Sequence, residues 1–219
     1  FIVYTDPISL GVLEAPANYG ATICVGDLHG LGLHLNFGGG QAGFIASHDD
    51  MRYITEFKEL VDGMVETTVP GEQGYSVVLI ERTHYAMREN GKEFTGTQNN
   101  LWTAPVAVYL SLMGPKGMEE IGHTIMTNAK YAAKKLAGIP GVSLRFPSVF
   151  FKEFVVNFDK TGKTVEEINQ LLLSRQIFGG VDLSRDYPEL GQSALYCVTE
   201  TADKESIDQL AGALQAILN

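Results

Sequence analysis

The feature that most constrains this chain is a cluster of helix breakers, Gly114-Pro115-Lys116-Gly117, followed at once by an uninterrupted amphipathic pattern. Met118, Ile121, Ile125, Ala129, Ala132 and Leu136 recur at intervals of three and four until Gly138 and Pro140 end the pattern. That spacing predicts one long helix with a single apolar face. A helix of this length with so abrupt a start is suited to link two regions, 1–115 and 116–219, and the rhythms on its two sides differ.

Before it, Ile2 to Tyr4, Ala21 to Val25, Gly43 to Ala46 and Tyr75 to Ile80 are short apolar or β-branched runs bounded by turn residues, as buried strands are. Leu101 to Met113 is almost continuously apolar and reads as a buried helix with Pro105 in its first turn. After it come strands at Val142 to Phe146 and Phe154 to Phe158, then a helix opened by Thr164 with Glu167 three residues on, a capping box. A strand at Ala194 to Thr199 leads into a last helix with Ile207, Leu210, Ala211, Leu214 and Ile217 on one face. The first region is therefore expected to be α/β and the second α+β.

With 45% hydrophobic and 19% charged residues, 219 residues suffice for a sizeable core. A net charge of −10 with only 16 Lys and Arg argues against a nucleic-acid partner, which needs clustered cations to neutralise phosphates. No apolar run approaches the ~20 residues that span a bilayer, and the N-terminus has no basic signal-peptide region, so no membrane partner is expected. Cys24 and Cys197 lie in apolar runs, which predicts reduced, buried thiols in a cytoplasmic protein. The chain opens on FIVYTDP, a strand-like run rather than a methionine, and is expected to be the later part of a longer polypeptide.

Val25 to Gly43, VGDLHGLGLHLNFGGGQAG, holds seven glycines and two histidines. Glycine at this density lets backbone turn tightly and approach a ligand closely, so the segment reads as a strand-to-loop passage lining a pocket. Neither a dinucleotide-binding GxGxxG that opens a helix nor a P-loop is present. Asp27, His29, His34 and His48 are ligand types for a metal, which would make a metal-dependent hydrolase, but no recognised ligand spacing joins them and no metal site is expected.

Several motifs in one order carry a resemblance. FGGVDLSRDYPELGQSALYCVTET at 178–201, TDPISLG at Thr5 to Gly11, the VGD and FGGGQAGF pieces of the glycine-rich segment, GYSVVLIER at Gly74 to Arg82 and LMGPKG before the long helix resemble the glycine cleavage system P-protein family. The resemblance spans nearly the whole chain and is to its subunit 1 type, from two-subunit glycine dehydrogenases (decarboxylating). It implies the fold-type-I architecture of pyridoxal-phosphate enzymes: 1–115 as the later half of a large, mostly parallel-sheet domain, and 116–219 as linker helix and α+β small domain. It also implies a heterotetramer with a catalytic subunit 2, which holds pyridoxal phosphate, decarboxylates glycine and passes the aminomethyl group to the lipoyl H-protein. The remaining N-terminal part of the same subunit is a further implied partner.

The catalytic homologue holds its cofactor through a lysine just ahead of the glycine run. Register through Leu31, Gly32 and Leu33 places His29 there, and no lysine precedes Lys58. An imidazole cannot form an imine with the cofactor aldehyde, so no catalytic residue is assigned. His29 either donates a hydrogen bond into the vestigial pocket or is a satisfied loop histidine. Asn90 to Asn100 stands where family members carry a KATSNICTNQ-like run facing a neighbour's cofactor phosphate; Thr95, Gly96 and Thr97 are the candidates to face the partner's phosphate, against a plain solvated loop. Glu59 to Gln73 also departs from the family pattern. Asp182, Arg185, Asp186 and Tyr187 read either as a turn held by charge pairing or as interface contacts. The expected function is a non-catalytic structural subunit of glycine cleavage, the alternative a diverged scaffold or regulator outside that reaction.

Overall fold

The structure is a computed structural model that describes residues 1–33, 35, 41–93 and 99–219. Its contacts divide the chain into two compact units, Phe1–Met113 and Gly114–Asn219.

In the first unit, strands β1 (Ile2–Tyr4), β2 (Ile23–Asp27) and β3 (Gly43–Ser47) form one sheet in the order β1-β2-β3. β1 and β2 run parallel with Ile2 opposite Ile23, while β2 and β3 are antiparallel with Asp27 opposite Gly43. Among the described residues this is the unit's one parallel pairing, so the chain's own strands do not make a mostly parallel sheet. β2 begins two residues later than its apolar run, because pairing with both neighbours rather than hydrophobicity sets its limits. A short helix, α1 (Met51–Ile54), is capped by the Asp50 carboxylate on the Arg52 N–H at 3.0 Å.

The hairpin of β4 (Val61–Glu66) and β5 (Gln73–Val78) follows. β4 went unread in the sequence: its inward positions are Val61, Gly63 and Val65, and the central glycine weakens the apolar alternation. A side chain at residue 63 would meet Val78 at 2.9 Å, so a close cross-strand approach explains the residue.

The long helical run α2 (Thr103–Ala137) merges the two expected helices and is interrupted only at Gly114, where φ is +61°. That break makes Pro115 the first residue of a new helical segment, the one interior place where its missing N–H costs nothing.

In the second unit, β6 (Ser143–Leu144), β7 (Glu153–Asn157), β8 (Val181–Asp182) and β9 (Ser193–Cys197) form an antiparallel sheet in the order β6-β7-β9-β8. It packs with the later part of α2, α3 (Val165–Leu173) and α4 (Lys204–Leu218) around one core. Ala129, Ala132, Leu136, Val156, Phe158, Ile168, Leu172 and Leu214 are fully buried there. The face anticipated for α4 meets in this core, as do Ala129, Ala132 and Leu136 of the face anticipated for the long helix, whereas Met118, Ile121 and Ile125 lie outside it. α3 carries the full capping box, with the Glu167 N–H donating to Thr164 Oγ1 at 3.2 Å and the Thr164 N–H to Glu167 Oε2 at 2.8 Å.

The expected burial of the cysteines fails. Cys197 is exposed, because the alternation of β9 turns its side chain away from the packed face, and Cys24 is only half-buried, like its neighbours in β2. Neither is in a disulfide. No helix among the described residues is long and apolar enough to cross a membrane.

The outer surface of the second unit is fastened by Asp208 on α4. Its carboxylate takes Lys135 Nζ at 2.8 Å, Lys204 Nζ at 2.6 Å and the Tyr131 hydroxyl at 2.7 Å. The two ammonium groups, followed by the phenol, hold the Asp208 carboxyl far below the usual carboxylate range.

Two outcomes follow for this unit. Phe158→Ala removes the largest fully buried side chain and is expected to cost about 3–5 kcal/mol in urea unfolding. Because the carboxyl of Asp208 is depressed on folding, its contribution is complete above about pH 4, the unfolded value, and fades as pH falls through the lower folded value. Asp208→Asn should therefore lower the thermal midpoint at neutral pH and flatten its fall in acid relative to the parent chain; parallel curves for the two proteins would refute that assignment.

Candidate functional site

The candidate site lies where β2 ends and the glycine-rich segment begins. Gly26 sits in a gap that admits no side chain: a Cβ there would stand 2.3 Å from the Thr5 carbonyl oxygen and 2.6 Å from the Phe44 ring. β1, β2 and β3 can therefore close together only around a glycine. The next residue, Asp27, turns the chain, its carboxylate accepting the His29 N–H at 3.0 Å and the Tyr4 hydroxyl at 2.6 Å. The Leu28 N–H donates to the Ala42 carbonyl at 2.8 Å, and Leu31 and Leu33 plug into the interior, so this part of the segment is anchored rather than loose.

The turn opens on a cavity of about 800 Å³ lined by Asp27, His29, Gln41, Glu59, Asn99 and Asn100, with the backbone of Gly26 and Gly43 and the Phe44 ring completing it. His29 is half-buried at its wall. Asn100 is held by the start of α2, where its carbonyl accepts Thr103 Oγ1 at 2.6 Å. The ends of the glycine-rich segment and of the Asn90 to Asn100 segment thus meet on one cavity. Glu59, from the segment that departs from the family pattern, stands on the same wall. Its backbone carbonyl and that of Thr55 are tied by the buried Arg82 guanidinium at 3.0 and 3.2 Å.

Gln41, Glu59 and the end-of-loop asparagines are lining residues that sequence reasoning missed. Gln41 and the asparagines lie in segments that the sequence singled out, but nothing in a lone polar side chain tells which of a segment's residues line the pocket. Of the expected phosphate-facing residues, Thr95, Gly96 and Thr97 lie outside the described residues, as does His34. His48 is exposed beyond the end of β3. Among the described residues no three His, Cys, Asp or Glu side chains converge as a metal site would need.

Pyridoxal phosphate makes two demands on a site of fold type I: a primary amine to form the imine, and cations or convergent N–H donors for a phosphate dianion. The described lining of this cavity has an imidazole, two carboxylates and carboxamides, with neither lysine nor arginine. These residues do not fit the cofactor as a covalently held group, and no chemical step is assigned to it here.

In the second unit, Asp182, Arg185, Asp186 and Tyr187 form a turn. The Asp182 carboxylate accepts the Ser184 N–H at 2.8 Å, the Tyr187 N–H donates to the Leu183 carbonyl at 2.9 Å, and Arg185 reaches Glu166 at 3.5 Å between mostly exposed side chains. The following Pro-Glu-Leu-Gly is held from β7. The Asp159 carboxylate accepts the Gln192 N–H at 2.7 Å and the Asn157 amide at 2.8 Å, and both depress the Asp159 carboxyl below its usual range. At Gly191, with φ +67°, a Cβ would fall 2.5 Å from both Asp159 oxygens. The best-matched motif is thus built around a structural turn.

Comparison with known proteins is consistent across sequence and structure. The chain is 36% identical over 216 residues, 99% of its length, to the probable glycine dehydrogenase (decarboxylating) subunit 1 of Desulfitobacterium hafniense, covering 47% of that protein. It is similar in structure to a glycine decarboxylase (P-protein) of the glycine cleavage system in inhibitor-bound form, with a TM-score of 0.86 at 30% identity, over 99% of this chain and 48% of that one. A C-DES mutant with glycine covalently linked to its PLP cofactor matches at TM-score 0.57 and 19% identity, over 94% and 49% of the two chains, which bears on the fold alone. The mixed α/β fold is thus that of pyridoxal-phosphate proteins of fold type I. The chain spans about half the length of the curated relatives it matches. The sequence model for the glycine cleavage system P-protein covers residues 1–214, and with the shared fold and the relatives above this places the chain in the glycine cleavage system P-protein family.

Proposed function

We propose that this chain is the later part of a non-catalytic subunit 1 of glycine dehydrogenase (decarboxylating), with residues 1–115 belonging to the large domain and 116–219 to linker helix and small domain. Pyridoxal phosphate sits in the partner subunit 2, which decarboxylates glycine and transfers the aminomethyl group to the lipoyl H-protein. The N-terminal part of the same subunit completes the large domain, and the assembly is a cytoplasmic heterotetramer. The single observation carrying this reading is the chemistry of the 800 Å³ cavity, whose described lining presents the His29 imidazole with neither lysine nor arginine. His29 then acts as a wall residue and hydrogen-bonding group. Thr95, Gly96 and Thr97 are assigned toward the partner's cofactor phosphate on family position alone. A second reading, a scaffold or regulator that has left glycine cleavage, rests on the altered Asn90 to Asn100 and Glu59 to Gln73 segments.

Reconstitution tests the first reading. With a catalytic subunit 2, H-protein and the remaining part of subunit 1, glycine–bicarbonate exchange should require this chain; exchange that proceeds at full rate without it, or fails with it, argues against the role. Affinity capture separates the second reading, which predicts that neither subunit 2 nor H-protein is recovered. In the reconstituted complex, borohydride reduction should leave a stoichiometric pyridoxyl label on subunit 2, whereas a stoichiometric label on this chain would overturn the reading of the cavity.

A further inference from the structure

Wholly within the Gly114–Asn219 unit, a groove of about 560 Å³ runs between the end of α2 and the middle of α4. Lys134, Lys135 and Gly138 line one side, and Asp208, Gly212 and Gln215 the other. Both sets follow the spacing of a single helix face, so the groove is the valley between two helices. Its floor is formed by small residues and by Ile139, which is largely buried.

Charge and shape both need an external explanation. Asp208 is consumed internally by Lys135, Lys204 and Tyr131, and each of the two ammonium groups also lies 5.6 Å from the Tyr131 ring centroid. Lys134 enters no ion pair among the described residues, and neither does Lys130 one turn earlier. In a chain with a net charge of −10, this leaves a positive rim beside an uncharged floor. Gly212 sits inside α4, where glycine is a weak helix former, yet a Cβ there would meet nothing within 4 Å. No internal packing demands that glycine; what its missing side chain provides is open space in the groove.

We propose that this groove is a docking surface for an acidic amphipathic helix of a partner protein. The helix lays an apolar stripe along Gly138, Ile139 and Gly212, and its carboxylates meet Lys130 and Lys134, a helix-in-groove mode that needs a close backbone approach at Gly212. Charge complementarity selects the acidic occupant and steers its association. Asp208 is the positioning residue: its ion pair with Lys135 joins the two walls and closes one end of the valley, which leaves the stretch along Gly138 and Gly212 for the occupant.

The test uses the full chain and two labelled synthetic helices, each with leucines on one face, one with glutamates and the other with lysines on the opposite face. Fluorescence anisotropy should show salt-sensitive binding of the glutamate helix and none of the lysine helix. Lys134→Glu should weaken it about tenfold. Gly212→Ala should raise the thermal midpoint by about 2–4 °C, because alanine favours the helix and its Cβ meets no neighbour. Gly212→Leu should abolish binding without lowering that midpoint. Equal binding of the two helices, absence of glutamate-helix binding, binding that survives Gly212→Leu, or recruitment to phosphatidylserine vesicles in place of the peptide would each overturn the proposal. A fall in thermal midpoint for Gly212→Ala would do so as well, since it would reveal an internal reason for the glycine.

Discussion

The second unit depends on how the Asp159 carboxylate is satisfied. One of its oxygens takes the Gln192 backbone N–H and the other the Asn157 side-chain amide, so the end of β7 and the start of β9 are fastened at the residues where their pairing begins. The buried Asn157 amide also reaches Ser193 Oγ at 3.2 Å, and that hydroxyl donates to the Leu190 carbonyl at 2.7 Å. Polar groups taken out of water are costly unless paired, and here each supplies the partner another needs. Register follows from this. A one-residue slip of β9 would turn Ala194 and Tyr196 away from the core and carry Gln192 off the carboxylate. The sheet so fixed is the platform on which the later part of α2, α3 and α4 bury their apolar faces.

The first unit is organised by steric exclusion. The Thr5 carbonyl and the Phe44 ring leave no volume for a side chain at Gly26, and from that position the chain turns through Asp27 into the cavity. The same glycine that brings three strands together also brings bare backbone to the cavity wall. Pocket shape is therefore a by-product of strand packing in this chain and persists whether or not a ligand requires it. The chemistry lies in the few side chains added to that frame, and these can change without loss of the fold.

This separation explains what could be read in the sequence. Helix faces, the Thr164 capping box and the break before Pro115 were legible because each depends on residues a few positions apart. β1 stands at its expected limits and β2 is displaced by two residues, since its ends answer to partners far away in sequence on either side. β4 was hidden by Gly63, and the exposure of Cys197 by an apolar neighbourhood that masked the strand's alternation. At the candidate site, His29 and the glycines were visible through their pattern. Glu59 and Asn100 were not, because they reach the cavity only through the chain's path in space.

Glycines near a cavity are commonly read as evidence of a ligand, and two glycines here show when that inference holds. Gly191 is fully accounted for by its own chain, since the Asp159 oxygens occupy the space a side chain would need. Its appearance in a well-matched motif therefore carries no ligand information. Gly212 stands in a helix interior with nothing in the space a side chain would enter, so its cost to helix formation has no internal compensation. The first records how the protein folds; the second, having no such role, directs attention to what the folded surface receives. By the same criterion the glycine at the end of β2 belongs to the fold, and what marks the cavity chemically is the imidazole, carboxylates and carboxamides of its described lining.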